Sequence, residues 1–219
     1  MIQLLSYIYP VTKKVRSEIS GDLEITWYNG KKHLNTKNAN YSYGSLQKIL
    51  KIGLQKIDLS QCENILILGM GGGSVIKTLQ EDFNYKNTIT AVDIDPVIIG
   101  IAKQEFNVSK TNELQIICAD ALQFMQQNNK QFDLVIIDLF IDTEIPNSFF
   151  GTSFWQDIMR AIAVNGTILF NASLHKTDND KLSDIILLLK KNNYTIEKIE
   201  KVDQTNTLLI AKLFHCIES

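Results

Sequence analysis

The chain has 219 residues, with 22 Lys and Arg against 24 Asp and Glu and a formal charge of −2. That length suits one generous domain, or a domain with a small appendage, and the near-neutral charge leaves no electrostatic footprint for nucleic acid or an anionic membrane. No apolar run approaches the roughly eighteen residues of a membrane span, so the expectation is a cytoplasmic protein acting on a small molecule.

The start, MIQLLSYIYP, has neither a basic leader nor a cleavage-site pattern. Cys62, Cys118 and Cys216 are an odd set without C-x-x-C spacing, which reads as buried, reduced thiols. Residues 1–45 differ from the rest. LEITWYNGKKHLN sets two strand-like arms around Asn29-Gly30, a strong hairpin signal because both turn residues tolerate positive φ. A small N-terminal β-hairpin subdomain is predicted over 1–45, and a larger α/β domain over 46–219. Helical spacing of Leu46, Ile49, Leu50 and Leu54 then leads toward the run ILILGMGGGS at 65–74.

From there strands and helices alternate. Strand 65–68 precedes a glycine turn and helix 74–82, and strand 89–93 precedes a helix from Pro96 to Phe106. Strand 114–118 is followed by helix 120–128, and strand 132–137 ends on Asp138. A loop over 139–151 contains Pro146, helix 152–163 runs to Asn165-Gly166, and the strand TILFN follows. Helix 178–192 and strands 195–202 and 206–214 close the chain. The last two are joined by the short turn DQTN, so they must pair antiparallel. This is a Rossmann-like α/β sheet with an antiparallel C-terminal hairpin, the pattern of the class I methyltransferase architecture, whereas a dinucleotide-binding domain would continue βαβ.

The chemistry-bearing positions fall at strand ends. Gly69, Gly71 and Gly73 sit where backbone can approach a ligand closely, and Asp93 at the next strand end can accept hydrogen bonds from ribose hydroxyls. Asp95, directly before Pro96, is the better helix cap, which frees Asp93. Asp120 suits either an adenine amino group or the cap of its own helix. Asp138 ends a buried strand, where an unpaired carboxylate is costly and a ligand ammonium or a structural cation would compensate it, the ligand being the favoured reading. His33, His175 and His215 have no metal-ligand spacing, and no metal is expected. With no G-x-S-x-G elbow and no G-K-[ST] loop, hydrolase and nucleotide triphosphatase readings drop out.

Taken together, WYNGKKHLNTKNANYSYG, ILILGMGGGSV, AVDIDPVII, ICADALQFM, FDLVIIDLF with Pro146, and GTILFN resemble the spermidine synthase-like branch of the S-adenosylmethionine-dependent methyltransferase superfamily. Ile67, where other methyltransferases carry an acid, is shared with that branch. The resemblance implies S-adenosylmethionine, or its decarboxylated form, as cofactor. Gly69, Gly71 and Gly73 would face the methionine part, Asp93 the ribose, Asp120 and Ala121 the adenine, and Asp138 the region around the sulfonium, with Ile94 also among the cofactor-binding residues. It also makes a homodimer a candidate assembly.

The departures bear on chemistry. Aminopropyltransferases of this branch carry an Asp where Gly72 stands, and a D-x-x-D-P signature whose second acid is here Ile141, with Asp142 one residue late. An Asp-Glu pair before a tyrosine is replaced by Ala39 and Asn40 ahead of Tyr43. Polyamines are cations held by carboxylates, so the leading reading is methyl transfer to a small-molecule acceptor. In it Asp138 and Asp142 are the catalytic candidates, and Tyr43 and Gln47 the substrate-side ones. Aminopropyl transfer to a polyamine is the alternative, and a non-catalytic nucleoside-binding protein the third.

Overall fold

The structure, a computed structural model, describes residues 2–36, 40–42, 44–108, 111–173, 179–203 and 206–214. Ala39, Tyr43, His175, His215, Cys216 and the centre of the 203–206 turn lie outside them.

A one-turn helix, α1 (Ile2–Leu5), precedes four antiparallel strands in chain order: β1 (Val11–Ser17), β2 (Gly21–Tyr28), β3 (Lys31–Thr36) and β4 (Asn40–Ser42). The β2–β3 turn is the one expected, with Tyr28 opposite Lys31 and φ of 48° and 74° at Asn29 and Gly30. The sheet has two more strands than the hairpin read from the sequence. β1 leaves Thr12, Lys13, Lys14 and Arg16 exposed at the sheet edge, so it carries little of the apolar alternation that marks a strand.

Helix α2 (Ser45–Leu54) leads into a seven-stranded sheet of order β10-β11-β9-β8-β5-β6-β7. Its strands are β5 (Asn64–Leu68), β6 (Thr88–Asp93), β7 (Leu114–Cys118), β8 (Phe132–Ile137), β9 (Ile162–Ser173), β10 (Tyr194–Val202) and β11 (Asn206–Leu213). β5 to β9 run parallel, and β10 and β11 form the expected antiparallel hairpin against β9. Helices α3 (Ser74–Lys77), α4 (Pro96–Phe106), α5 (Ala121–Gln127), α6 (Thr152–Arg160) and α7 (Asn179–Lys191) connect the strands, and a π-helical turn extends α3 to Asp82. Period-two alternation splits the core between the sheet's faces. Ile65 and Ile67 pack with Ile76, Leu79 and Ile98 on one side, and Leu66 and Leu68 with Phe154, Trp155 and Phe170 on the other. Leu23, Ile25 and Leu34 of the N-terminal sheet belong to the first cluster, so the two sheets share one apolar core.

Two sequence readings need correction. The helix predicted to 163 stops at Arg160, and β9 is already paired at Ile162, opposite Phe132. The next pair is Leu134 with Thr167, so the strand bulges, and Asn165, at φ 63°, sits inside that bulge. The thiols also differ: Cys62 is buried and its pKa is pushed up to about 11 by desolvation, whereas Cys118 is exposed at the end of β7.

Asp95 joins the sheets. It caps α4 by accepting from the amides of Val97 (2.8 Å) and Ile98 (3.4 Å), as expected, and it also accepts from the hydroxyls of Ser17 and Ser20 in the β1–β2 turn. Asp95→Ala should therefore cost about 2–4 kcal/mol, combining a lost cap with stranded hydroxyl and amide donors. Urea denaturation measures it, and a loss under 1 kcal/mol would mean that the turn does not depend on Asp95. A second tie is Glu105 on α4, which meets Lys13 at 2.9 Å and Lys32 at 2.8 Å, with Lys32 lying 5.1 Å from the centre of the Trp27 ring.

Candidate active site

The strand order reverses between β5 and β8, and there the carboxyl ends of β5, β6 and β8 meet the glycine loop, as at the ligand crevice of open α/β sheets. Gly69 has φ 83°, and a Cβ there would lie 2.1 Å from the backbone carbonyl oxygen of Asp138. That close approach is fixed by the ladder, since the Gly69 amide donates to Val92 O and the Asp138 amide to Leu68 O, both at 2.9 Å. Gly71 and Gly73 also have positive φ, and Gly73 caps α3 in the left-handed conformation.

Asp93 lies at the end of β6 and is only 9% exposed. One carboxylate oxygen accepts from the Gly71 amide and the other from the Asp95 amide, each at 3.0 Å. Beyond the ribose contact that the resemblance implies, Asp93 therefore grips the glycine loop itself, a role sequence reading did not anticipate. Desolvation raises its pKa to about 6 against the pull of those amides.

Asp138 is half-buried at the end of β8 and accepts from Asn171 Nδ2 at 2.8 Å. Desolvation is the main cause that lifts its pKa to about 6; the Asn171 hydrogen bond opposes that, and the negative charge of Asp93 adds to it. Among the described residues no ion pair reaches either carboxylate. Two adjacent, unpaired, partly desolvated acids make a place that a cationic ligand group would stabilise.

The other predicted residues are distributed around this centre. Ile94, between Asp93 and Asp95 in the chain, is 44% exposed, and its carbonyl accepts from the Cys118 thiol at 3.8 Å. Asp120 caps α5 through the amides of Leu122 (2.8 Å) and Gln123 (3.1 Å), and Ala121 is the buried first residue of that helix. Gln47 donates to Thr78 Oγ1 at 3.0 Å, so it ties α2 to the helix behind the glycine loop. Asp142, in the loop after β8 at φ 55°, accepts from Thr36 Oγ1 of β3 at 2.6 Å, and Ile141 beside it is 50% exposed. Sequence reasoning missed Thr36 and Asn171. A signal for Asn171 existed: the apolar runs FDLVII and TILF stop at Asp138 and Asn171, and Ile137 pairs with Phe170, which sets Asp138 beside Asn171.

Sheet order, glycine loop and acids at successive strand ends define the Rossmann-like class I methyltransferase fold. Its solved neighbours include human methyltransferase-like protein 13 in complex with SAH, at TM-score 0.65 and 22% identity over 81% of this chain and 85% of that one. Another is a probable spermidine synthase from Corynebacterium glutamicum, at TM-score 0.66 and 17% identity over 96% of this chain and 80% of that one. Within this fold the chain belongs to the spermine/spermidine synthase family, whose domain model matches residues 47–200. It is similar to the polyamine aminopropyltransferase of Sulfolobus acidocaldarius, with 34% identity over 146 residues. That match covers 61% of this chain and 46% of the relative, so the chain spans about half the length of that protein. Among the described residues no helix is long and apolar enough to cross a membrane.

Proposed function

We propose that the chain is an S-adenosylmethionine-dependent transferase that moves a methyl group to a small-molecule acceptor. The observation that carries this choice is Ile141: where the aminopropyl-transferring enzymes hold a second acid, the loop after β8 has a half-exposed apolar side chain. A polyamine would arrive there as a cation without its carboxylate, whereas a methyl acceptor needs alignment and exclusion of water.

In this reading Gly69, Gly71 and Gly73 let the backbone lie along the methionine part, Asp93 accepts from the ribose, and Asp120 and Ala121 meet the adenine. The cofactor supplies a methyl carbon already activated by the sulfonium. Asp138 holds that positive sulfur in the crevice. Asp142, with Tyr43 and Gln47 on the substrate side, would take the proton that an amine or hydroxyl acceptor releases as its nitrogen or oxygen bonds to the methyl carbon, while the carbon–sulfur bond breaks and its electron pair stays on the sulfur of S-adenosylhomocysteine.

The match to the Sulfolobus acidocaldarius relative supports a second reading, aminopropyl transfer with Asp142 as the displaced base. Calorimetry with S-adenosylmethionine, its decarboxylated form and NAD separates the readings. Methyl transfer predicts binding of full S-adenosylmethionine and, on an amine and hydroxyl panel, release of S-adenosylhomocysteine. Binding of the decarboxylated form alone would change the reaction to aminopropyl transfer, and binding of NAD alone would remove both.

A further inference from the structure

Asp138 does not stand alone at the end of β8. Asn171 on β9 is fully buried; its Nδ2 donates to Asp138 Oδ1, and its Oδ1 accepts from Nδ2 of Asn206 on β11, both at 2.8 Å. The three residues lie across three neighbouring strands, and β11 pairs antiparallel with β9 so that Asn206 falls opposite Ser173. We propose that Asn206 and Asn171 form an amide relay that keeps Asp138 ionised and oriented, and so sets the preference of this crevice for a sulfonium over a neutral sulfur. The inference rests on the transferase reading above for its ligand, though not for its geometry.

The direction of the relay follows from donor and acceptor chemistry. An ionised carboxylate can only accept, so the Asn171 amide must present its NH2 group to Asp138. Its carbonyl oxygen then points the other way, in a dry setting where it needs a donor, and the NH2 group of Asn206 is that donor. Protonated Asp138 could donate instead, and both amides could then reverse. Asn206 therefore biases Asn171 toward the orientation that matches ionised Asp138. The charged group facing Asp138 is Asp93 at the end of β6, and its charge and the burial of the site both act against ionisation. Among the described residues the relay is the hydrogen-bonded counterweight to them.

Asn171→Ala risks the fold, because it leaves a void and two unsatisfied groups in the sheet. Asn206, half-buried at the start of β11, is the safer site. S-adenosylmethionine and S-adenosylhomocysteine differ at the sulfur, positive in one and neutral in the other, so their affinity ratio reports the charge on Asp138. For a rise of one pKa unit in Asn206→Ala, the ratio should fall about threefold near pH 6.5 and approach tenfold near pH 5, and in Asn206→Gln it should return toward wild type. The titration midpoint of the Asp138 carboxyl, followed by carbon NMR, should rise in Asn206→Ala. Equal losses for the two ligands, or an unmoved midpoint, would overturn the relay. Should the wild type bind neither ligand, the transferase reading fails while the carboxyl titration still decides the relay.

Discussion

Gly69→Ala should destabilise the protein by about 2–5 kcal/mol. Left-handed backbone costs a side-chain-bearing residue roughly 1–2 kcal/mol, and the added carbon meets the Asp138 carbonyl at 2.1 Å. That carbonyl belongs to backbone held in the β5–β8 ladder, so relief requires the two strand ends to part. Gly100 in α4 is the control, because a Cβ there meets nothing within 4 Å, and Gly100→Ala should gain about 0.4–1 kcal/mol through helix propensity. Urea denaturation of both variants compares them directly. A Gly69→Ala protein within 1 kcal/mol of wild type would mean that the loop does not approach β8 as described.

The contrast between these glycines marks what a sequence can carry. Residues 65–74 are legible because a buried strand, a tight turn and a helix each impose a local pattern, and the acids at 93, 120 and 138 stand out where apolar runs stop. The Asn29-Gly30 turn and the final hairpin are legible for the same reason. Features made by pairing between distant segments are not. β1 hides because its exposed face is lysine and arginine at a sheet edge, and the start of β9 hides because its bulge interrupts the period before the apolar run begins. At the site, Asp93 is read as a ribose ligand, yet its grip on the Gly71 amide depends on how the loop folds back. Asp142 meets Thr36 across 106 residues of chain, and Asn171 meets Asp138 only because β9 lies next to β8. A local rule has no access to either.

Asp138→Asn should separate stability from ligand recognition. The ordinary aspartate pKa is about 3.9, and burial beside Asp93 raises that of Asp138 to about 6. The native state then holds its proton more tightly than the unfolded chain does. The contribution of this group to stability is therefore fully present below about pH 4 and is lost as pH rises through about 6. Removing the titration relieves the protein of a buried charge at neutral pH, and the amide that replaces it can still accept from Asn171. Allowing for the part of Asp138 that solvent reaches, the variant should be about 1–2 kcal/mol more stable than wild type at pH 7.5 and equal to it near pH 4. Its affinity for S-adenosylmethionine should fall by ten- to a hundredfold, since a charged partner is worth roughly 1.5–3 kcal/mol, while S-adenosylhomocysteine should bind nearly as before. In wild type the same logic predicts that S-adenosylmethionine binding weakens as pH falls through about 6. Denaturation at the two pH values, with calorimetry of both ligands, tests the two halves separately. A variant that is less stable at pH 7.5 would show that Asp138 is held by a cationic partner of the protein, and equal loss of both ligands would remove it from the sulfonium. The stabilising sign matters most here, because a carboxylate kept at a cost in stability is expected where a ligand's positive charge offsets that cost, and a structural acid would show the opposite sign.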